Sequence, residues 1–130
     1  MAERKKPINS RAKGAAGELE LAHKLTDLGY PSRRGQQFSG KNGDADVVGE
    51  LEGVHIECKR VEALNLDSAY EQAVRDAKEG LIPAVFHRKN RKPWKVTISL
   101  EDFLKLYEAY FWKEKTNVKT RCTLHTHSEQ

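Results

Sequence analysis

Residues 43–60, GDADVVGELEGVHIECKR, place four charged residues inside a segment that otherwise has the composition of a buried sheet. Apolar and β-branched residues flank a turn-like Glu52-Gly53 pair, so the segment predicts a β-hairpin. The charged residues are Asp44, Asp46, Glu57 and Lys59. This feature constrains the fold more than any other, because a sheet that buries the hairpin must also accommodate the charges.

The length of the turn decides which residues of the hairpin face each other. With a two-residue turn, Leu51 faces Val54, and Asp46 then pairs with Lys59. Because side chains alternate between the two faces of a strand, Asp46, Glu57 and Lys59 share one face. A register error of one residue would move Asp46 to the opposite face relative to Glu57. The convergence of the acids therefore depends on the turn.

Two interpretations of this charged face are open. Val47, Ile56 and Cys58 occupy the other face, so the charged face could be a solvated ladder of ion pairs that contributes only ~0.2–1 kcal/mol per pair. Alternatively, the carboxylates could bind a hard cation such as Mg²⁺, with the lysine holding a water molecule or a phosphate oxygen. The hairpin alone does not decide between these interpretations.

The segment before the hairpin, SRAKGAAGELELAHKLTDLG, predicts a helix with Ser10 as its N-cap and Gly29 at its end. Projection at ~100° per residue gives one apolar arc. Its members are Ala15, Leu21, Ala22, Leu25 and Leu28. Gly14 and Gly17 flank the arc and weaken the helix, which favours close packing against the helix backbone at these positions, by the neighbouring sheet or by a nucleic-acid backbone.

Glu18 falls in the middle of this apolar arc. A carboxylate that faces a core requires a cation, hydrogen-bond donors or a metal ion. A structural ion pair with an arginine or with Lys59 is one possibility. The other is a third acid directed toward the charged face of the hairpin.

The remaining elements predict a mixed fold. NLDSAYEQAVRDAKEG has the pattern of a second helix, in which Ser68 and Glu71 have capping-box spacing, and a second hairpin follows, with strands near 82–88 and 94–99. LEDFLKLYEAYFW predicts a last helix with Ser99 as its cap, and a short strand near 32–38 precedes the first hairpin. The order αβββαββα predicts an α/β (α+β) domain with a central mixed sheet flanked by helices.

The length of 130 residues and the net charge of +4 predict one soluble, basic domain. We expect a folded domain at 10–112, a basic arm at 1–9 and a flexible or irregular tail at 113–130. No apolar run is long enough for a membrane span, and no apolar signal core follows the basic N-terminus. These features favour a cytoplasmic location. Two cysteines far apart in sequence exclude a disulfide framework.

Basic residues lie in several groups that could neutralise DNA phosphates without reading sequence. The alternative is an ordinary solvated surface. Ser39, in the glycine-rich loop that precedes the acids, is a further candidate for contact with DNA. The candidates for nucleic-acid binding are Arg11, Lys13, Arg33, Arg34, Ser39, Lys41, Arg60, Arg88, Lys89, Arg91 and Lys92.

The chain resembles the PD-(D/E)xK nuclease superfamily. The resemblance lies in an inward Glu18 on a first helix, Asp46 at the start of a strand, Glu57-Cys58-Lys59 on the next strand, and Gln72 on the following helix. The small size, the Ser39-Gly40 loop and the PAVFHR…PWKVTI hairpin are most similar to Holliday junction resolvases of archaeal and phage type. The likeness covers about residues 10–110 and implies a restriction-endonuclease-like sheet.

The resemblance also implies a catalytic set. Asp46, Glu57 and the backbone carbonyl of Cys58 would bind Mg²⁺, for which Mn²⁺ could substitute, and Glu18 would complete the metal site directly or through water. Lys59 would orient the attacking water and offset charge in the transition state, and Gln72 would position water or phosphate. The proline that usually precedes the motif aspartate is Ala45 here, so Asp44 remains a rival ligand.

These residues lead to the expectation of a metal-dependent endodeoxyribonuclease without an organic cofactor. By resemblance, the enzyme would resolve four-way DNA junctions as a homodimer in recombination, repair or phage DNA processing, and would act in the host cytoplasm if a phage encodes it. Two alternatives stay open: a repair or restriction-like nuclease on duplex or flap DNA, and a DNA-binding module without catalysis.

Overall fold

The computed structural model describes residues 10–36 and 45–125, and side chains within 13–36 and 45–112. The chain forms two compact units, Met1–Ile98 and Ser99–Gln130. The elements are α1 (Ser10–Asp27), β1 (Ser32–Arg34), β2 (Val47–Gly49), β3 (Val54–Arg60), α2 (Leu66–Asp76), β4 (Ile82–Arg88), β5 (Lys95–Thr97) and α3 (Leu100–His125). The predicted order αβββαββα is confirmed.

The five strands form one mixed sheet in the order β1-β2-β3-β4-β5. Three neighbouring pairs are antiparallel, whereas β3 and β4 run parallel along seven residues. Parallel neighbours need a crossover connection, and α2 provides it. The carboxyl ends of β3 and β4 therefore meet at one edge of the sheet, where β3 carries the predicted catalytic residues.

The first hairpin differs from its predicted register by two residues. Val47 lies opposite Ile56, so one step outward places Asp46 opposite Glu57 rather than Lys59. The connection spans residues 50–53 and includes Gly53 at a φ of +85°, a conformation that suits glycine. The two-residue turn is therefore wrong. Because side chains repeat every two residues, the shift leaves each side chain on its predicted face.

The two helices of the first unit cover opposite faces of the sheet. Leu21, Ala22 and Leu25 of α1 pack in a cluster with Val47, Ile56, Cys58, Ala84 and Phe86. Ala69 and Ala73 of α2 pack with Val85, which alternates with Ala84 and Phe86 along β4. Since Glu57 lies beside Val85 in the parallel register, the charged face of β3 is the face that α2 covers.

Helix α1 approaches the sheet most closely at Gly17. A Cβ atom added there would lie 2.5 Å from the Cβ of Arg60, whereas one added at Gly14 would meet no described atom within 4 Å. The predicted close approach is thus present at Gly17 and is not seen at Gly14. The predicted apolar arc is wrong at Leu28, which is 61% exposed near the end of the helix.

Helix α2 begins one turn earlier than a capping box at Ser68 and Glu71 would place it. The side chain of Asn65 accepts a hydrogen bond from the backbone N–H of Ser68 at 3.0 Å, and Asn65 is the N-cap. Asparagine caps as well as serine does, so the sequence offers two candidates. The position of the helix on β3 and β4 selects the first.

The second unit contains α3. Ser99 caps it as predicted, because the backbone N–H of Asp102 donates to Ser99 Oγ at 3.0 Å. The helix continues to His125, where an irregular tail was expected from residue 113. Residues 113–125 contain neither glycine nor proline, so no residue there interrupts a helix. Within α3, the ring of Tyr107 lies 4.5 Å from that of Phe111, and both are exposed.

No helix in the described part of the chain is long and apolar enough to cross a membrane.

Candidate active site

One cavity brings the predicted catalytic residues together. It measures about 510 Å³ and lies at the edge of the sheet where β3 ends. Its lining includes Glu18, Asp46, Glu57, Cys58, Lys59 and Gln72, together with Lys13 and Arg60. Residues from α1, β3 and α2 thus meet in one place with Asp46, which directly precedes β2. Their catalytic roles remain predictions.

The strands and helices place these side chains for simple reasons. Glu57 and Lys59 alternate with core residues along β3, so both point away from α1. Asp46 directly precedes β2 and faces Glu57 across the hairpin. Glu18 comes from α1, and Gln72 lies on α2 beside the buried Ala73. The sheet edge therefore collects groups from both helical layers.

Asp46 and Glu57 form a close pair of acids. Glu57 is only 4% exposed. Burial, then the charge of Asp46 and a hydrogen bond with it, raise the pKa of Glu57 to about 8, although Lys59 opposes this shift. The raised pKa favours the protonated form of Glu57, which donates a hydrogen bond to Asp46. Asp46 Oδ2 also accepts the backbone N–H of Cys58 at 2.8 Å, which holds the aspartate against β3.

Two nitrogen atoms flank the Glu57 carboxyl group. Lys59 Nζ lies 3.7 Å from Oε1, and His55 Nε2 lies 4.0 Å from Oε2. His55 is 6% exposed, and burial lowers its pKa although Asp76 and Asp46 act in the opposite direction. Each carboxyl oxygen thus has one nitrogen beside it, slightly beyond hydrogen-bond distance.

Glu18 is paired with an arginine. Arg34 Nε donates to Glu18 Oε2 at 2.7 Å, and the glutamate side chain is 13% exposed. The structural ion pair that explains an acid on the apolar arc is therefore present. Glu18 still lines the cavity, so the pair does not remove its carboxylate from the site.

A second acidic residue of α1 holds two more arginines. Glu20 accepts hydrogen bonds from Arg60 Nε at 3.2 and 3.3 Å and from Arg88 Nη1. Arg88 Nε also donates to the backbone carbonyl of Lys92 at 2.6 Å. Since Arg60 and Arg88 are neighbours in the parallel register, Glu20 ties the ends of β3 and β4 to α1.

The candidates for nucleic-acid binding lie in different surroundings. Lys13 and Arg60 line the cavity, and Arg34, Arg60 and Arg88 are engaged with glutamates. Exposed candidates are Lys13 on α1, Arg33 and Arg34 on β1, and Lys89, Arg91 and Lys92 on the β4–β5 hairpin. Ser39, Lys41, Asp44 and the side chain of Arg11 lie outside the described residues. Of the two rival metal ligands, Asp44 and Asp46, the structure thus describes only Asp46.

The donor set suits a hard divalent cation with few protein ligands. Among the described residues, no group of three or more His, Cys, Asp and Glu side chains is arranged to hold a metal ion. Asp46 and Glu57 instead form a pair of neighbouring acids that line the cavity. Mg²⁺ is commonly held by one or two carboxylates, with water and phosphate oxygens as the other ligands. The chemistry of the Asp46–Glu57 pair therefore fits such an ion, and the role of the Cys58 carbonyl stays a prediction.

Sequence reasoning missed two residues near the site. His55 could have been found, because it precedes Glu57 by two positions and so shares the charged face of β3. Glu20 had no such signal, since the helical projection places it opposite the apolar arc. Only the approach of α1 to the strand ends shows that it pairs with arginines.

The comparisons with known proteins agree with this geometry. The family model of the phage putative PDDEXK endonucleases matches residues 9–130. Neither a curated protein nor a solved structure matches the chain. The family match spans nearly the whole chain, including every element that lines the cavity. The chain belongs to the phage putative PDDEXK endonuclease family.

Proposed function

We propose that the protein is a divalent-metal-dependent DNA endonuclease that cuts four-way junctions. One observation carries the catalytic part of this proposal: Asp46 and the buried Glu57 lie together beside Lys59 in a cavity of about 510 Å³. A pure binding protein would gain nothing from three acids in a cavity that faces DNA, since they repel phosphates. A nuclease needs them for its metal ion.

In this proposal, Asp46, Glu57 and the carbonyl of Cys58 hold Mg²⁺, and Glu18 contributes directly or through water. The ion, when bound, polarises the scissile phosphate and stabilises charge that develops in the transition state. Mn²⁺ has similar ligand preferences and is expected to substitute. The ion pair with Arg34 holds the Glu18 carboxylate in place at the edge of the cavity.

Lys59 and Gln72 act on the other reacting groups. The ammonium group of Lys59 borders the cavity next to Glu57. It holds the attacking water and offsets negative charge on the phosphate as the bond to the leaving oxygen breaks. Gln72 lines the same cavity from α2, and its amide orients water or a phosphate oxygen.

Contacts to the phosphates of the DNA backbone, without contacts to the bases, support the preference for a branched substrate. The exposed basic side chains at Arg33 and on the β4–β5 hairpin suit phosphate contacts, whereas the described elements provide no reading helix of the familiar DNA-binding motifs. Selectivity would then depend on the shape of the DNA.

A homodimer would give the two symmetric cuts that junction resolution requires. Each chain contributes one catalytic cavity, and a two-fold axis would present two of them to opposite strands. The exposed aromatic rings of Tyr107 and Phe111 on α3 support self-association, because aromatic residues are enriched in protein interfaces.

The test compares a labelled mobile four-way junction with a linear duplex of the same arms, in Mg²⁺ and in EDTA. We expect paired symmetric nicks in the junction alone and no cleavage in EDTA. Asp46→Asn should abolish cleavage and keep junction binding, because it removes the charge and retains the volume. Lys95→Gln, a change on the exposed edge strand, serves as the matched control with unchanged cleavage.

Each other outcome has a clear meaning. Equal cleavage of junction and duplex would support a repair or restriction-like nuclease and reject the junction preference. Junction binding without cleavage in Mg²⁺ or Mn²⁺ would reject the catalytic proposal. Sedimentation of the protein at micromolar concentration as a monomer, with and without DNA, would reject the homodimer.

A further inference from the structure

His55 contains a buried polar atom that the fold leaves without a partner. Its ring is nearly inaccessible, and its Nε2 makes no hydrogen bond to any of the residues described. An unpaired buried nitrogen destabilises a fold relative to one that has a hydrogen-bond partner. Native proteins rarely keep such an atom, so each case requires a physical explanation.

The unpaired nitrogen faces the carboxyl group of Glu57. It lies 4.0 Å from Oε2, while Lys59 Nζ lies 3.7 Å from Oε1. The three residues follow one another at spacings of two along β3 and so share a face. The strand itself therefore places one nitrogen beside each oxygen of the glutamate.

A donor from His55 suits the second oxygen of the Glu57 carboxyl group. Of the two oxygens, Oε1 faces Lys59 Nζ and Oε2 faces the unpaired Nε2. Carboxylates that bind a metal ion are commonly held in orientation by hydrogen bonds from neighbouring residues. A shift of about 1 Å would bring Nε2 to the ~2.9 Å of an ordinary N–H···O hydrogen bond.

We infer that His55 is a positioning residue for Glu57, whose Nε2–H donates to Oε2 of the ionised carboxylate and orients it toward the divalent cation. The inference rests on the proposed metal-dependent function. It does not require a change in the charge of the ring, because the imidazolium and the neutral tautomer with a proton on Nε2 present the same donor. Hydrogen bonds to ligating carboxylates commonly affect metal affinity in this way.

The test measures the dissociation constant of Mn²⁺ by calorimetry for the wild type and three variants. In His55→Gln, the side-chain amide nitrogen reaches the position of Nε2, whereas in His55→Asn it reaches only that of Nδ1. His55→Leu removes the donor altogether. We expect the glutamine variant to bind within about threefold of the wild type, and the other two to bind ~10–100-fold more weakly.

Two controls separate positioning from packing. The melting temperature of each variant reports whether the fold is retained, and the glutamine and asparagine variants remain comparable if the leucine variant fails to fold. In a Glu57→Gln background, His55→Asn should leave the remaining Mn²⁺ affinity unchanged, because its target carboxylate is gone.

The outcomes distinguish a failure of this inference from a failure of the proposed function on which it rests. Equal Mn²⁺ affinity in all four proteins, or equal weakening by glutamine and asparagine, would overturn the role of His55 alone. If the wild type binds no Mn²⁺, the metal-dependent function and the role of His55 both fail.

Discussion

The two faces of β3 are equally buried and chemically opposite. On one face, Ile56 and Cys58 are 2% and 8% exposed and pack with α1. On the other, His55 and Glu57 are 6% and 4% exposed. Burial of an apolar side chain contributes ~1.5–3 kcal/mol, whereas burial of a carboxyl group without a cation disfavours its charged form. One face therefore stabilises the fold, and the other has a cost that a function must explain.

Substitutions on the two opposite faces of β3 give the strongest test of this difference. We expect Lys59→Met to lower the cleavage rate by about 100-fold or more, because removal of one group that stabilises the transition state typically has this effect. Ile56→Val, on the apolar face, should keep the cleavage rate. Single-turnover cleavage of the junction under saturating enzyme gives the comparison, and similar losses in both variants would contradict it.

The cost of the charged face should appear as a pH dependence of stability. The pKa of Glu57 is about 8 in the folded protein and 4.5 ordinarily. Between these values the unfolded chain has lost a proton that the folded chain keeps, so the free energy of unfolding falls as pH rises toward 8. Glu57→Gln removes this dependence and should be more stable than the wild type by roughly 2–4 kcal/mol at pH 8.5.

Urea unfolding in EDTA at pH 4.5 and 8.5 measures this difference. The two proteins should have nearly equal free energies of unfolding at pH 4.5, where Glu57 is protonated in the folded state and about half protonated in the unfolded state. Equal free energies at pH 8.5 would show that the buried carboxyl group carries no such cost.

The apolar side can be tested at the closest approach of α1. Gly17→Ala places a Cβ atom 2.5 Å from that of Arg60, and we expect it to destabilise the protein by ~1–3 kcal/mol, as overpacking does. Gly14→Ala is the matched control, since no described atom lies within 4 Å of its added Cβ. It should stabilise the helix by up to ~1 kcal/mol. Thermal unfolding of both variants measures these changes in stability. Changes of the same sign in the two variants would refute the packing argument.

The smallest expected effect belongs to Ile56→Val itself. Loss of one buried methyl group from the α1 cluster should lower the free energy of unfolding by ~0.5–1.5 kcal/mol at every pH between 5 and 8.5. Denaturant midpoints across this range measure it. A pH-dependent loss would show that the two faces of β3 are coupled rather than independent.

Much of the site was predictable because it depends on local patterns. Alternation along 54–60 separates Ile56 and Cys58 from Glu57 and Lys59 whatever the neighbouring strand does. The order of helices and strands follows in the same way from periodicity, and the last helix begins at its predicted cap. The membership of Glu18 and Gln72 in one cavity was implied by the resemblance, and no local pattern places them there.

The errors arose where the sequence permits more than one local choice. Loops of two or of four residues can join β2 and β3, and the register with Val47 opposite Ile56 has the longer one. Asn65 and Ser68 can both cap α2, and no glycine or proline marks an end of α3 before His125.

The sequence by itself determined which side chains of β3 share a face, since strand geometry alternates residue by residue. Only the tertiary structure decided that both faces are buried, because the crossover helix α2 and the parallel pairing with β4 exclude water from the charged side. That burial raises the pKa of Glu57 and leaves His55 Nε2 without a partner. Both effects arise from contacts between segments that are distant in sequence, which no local pattern records.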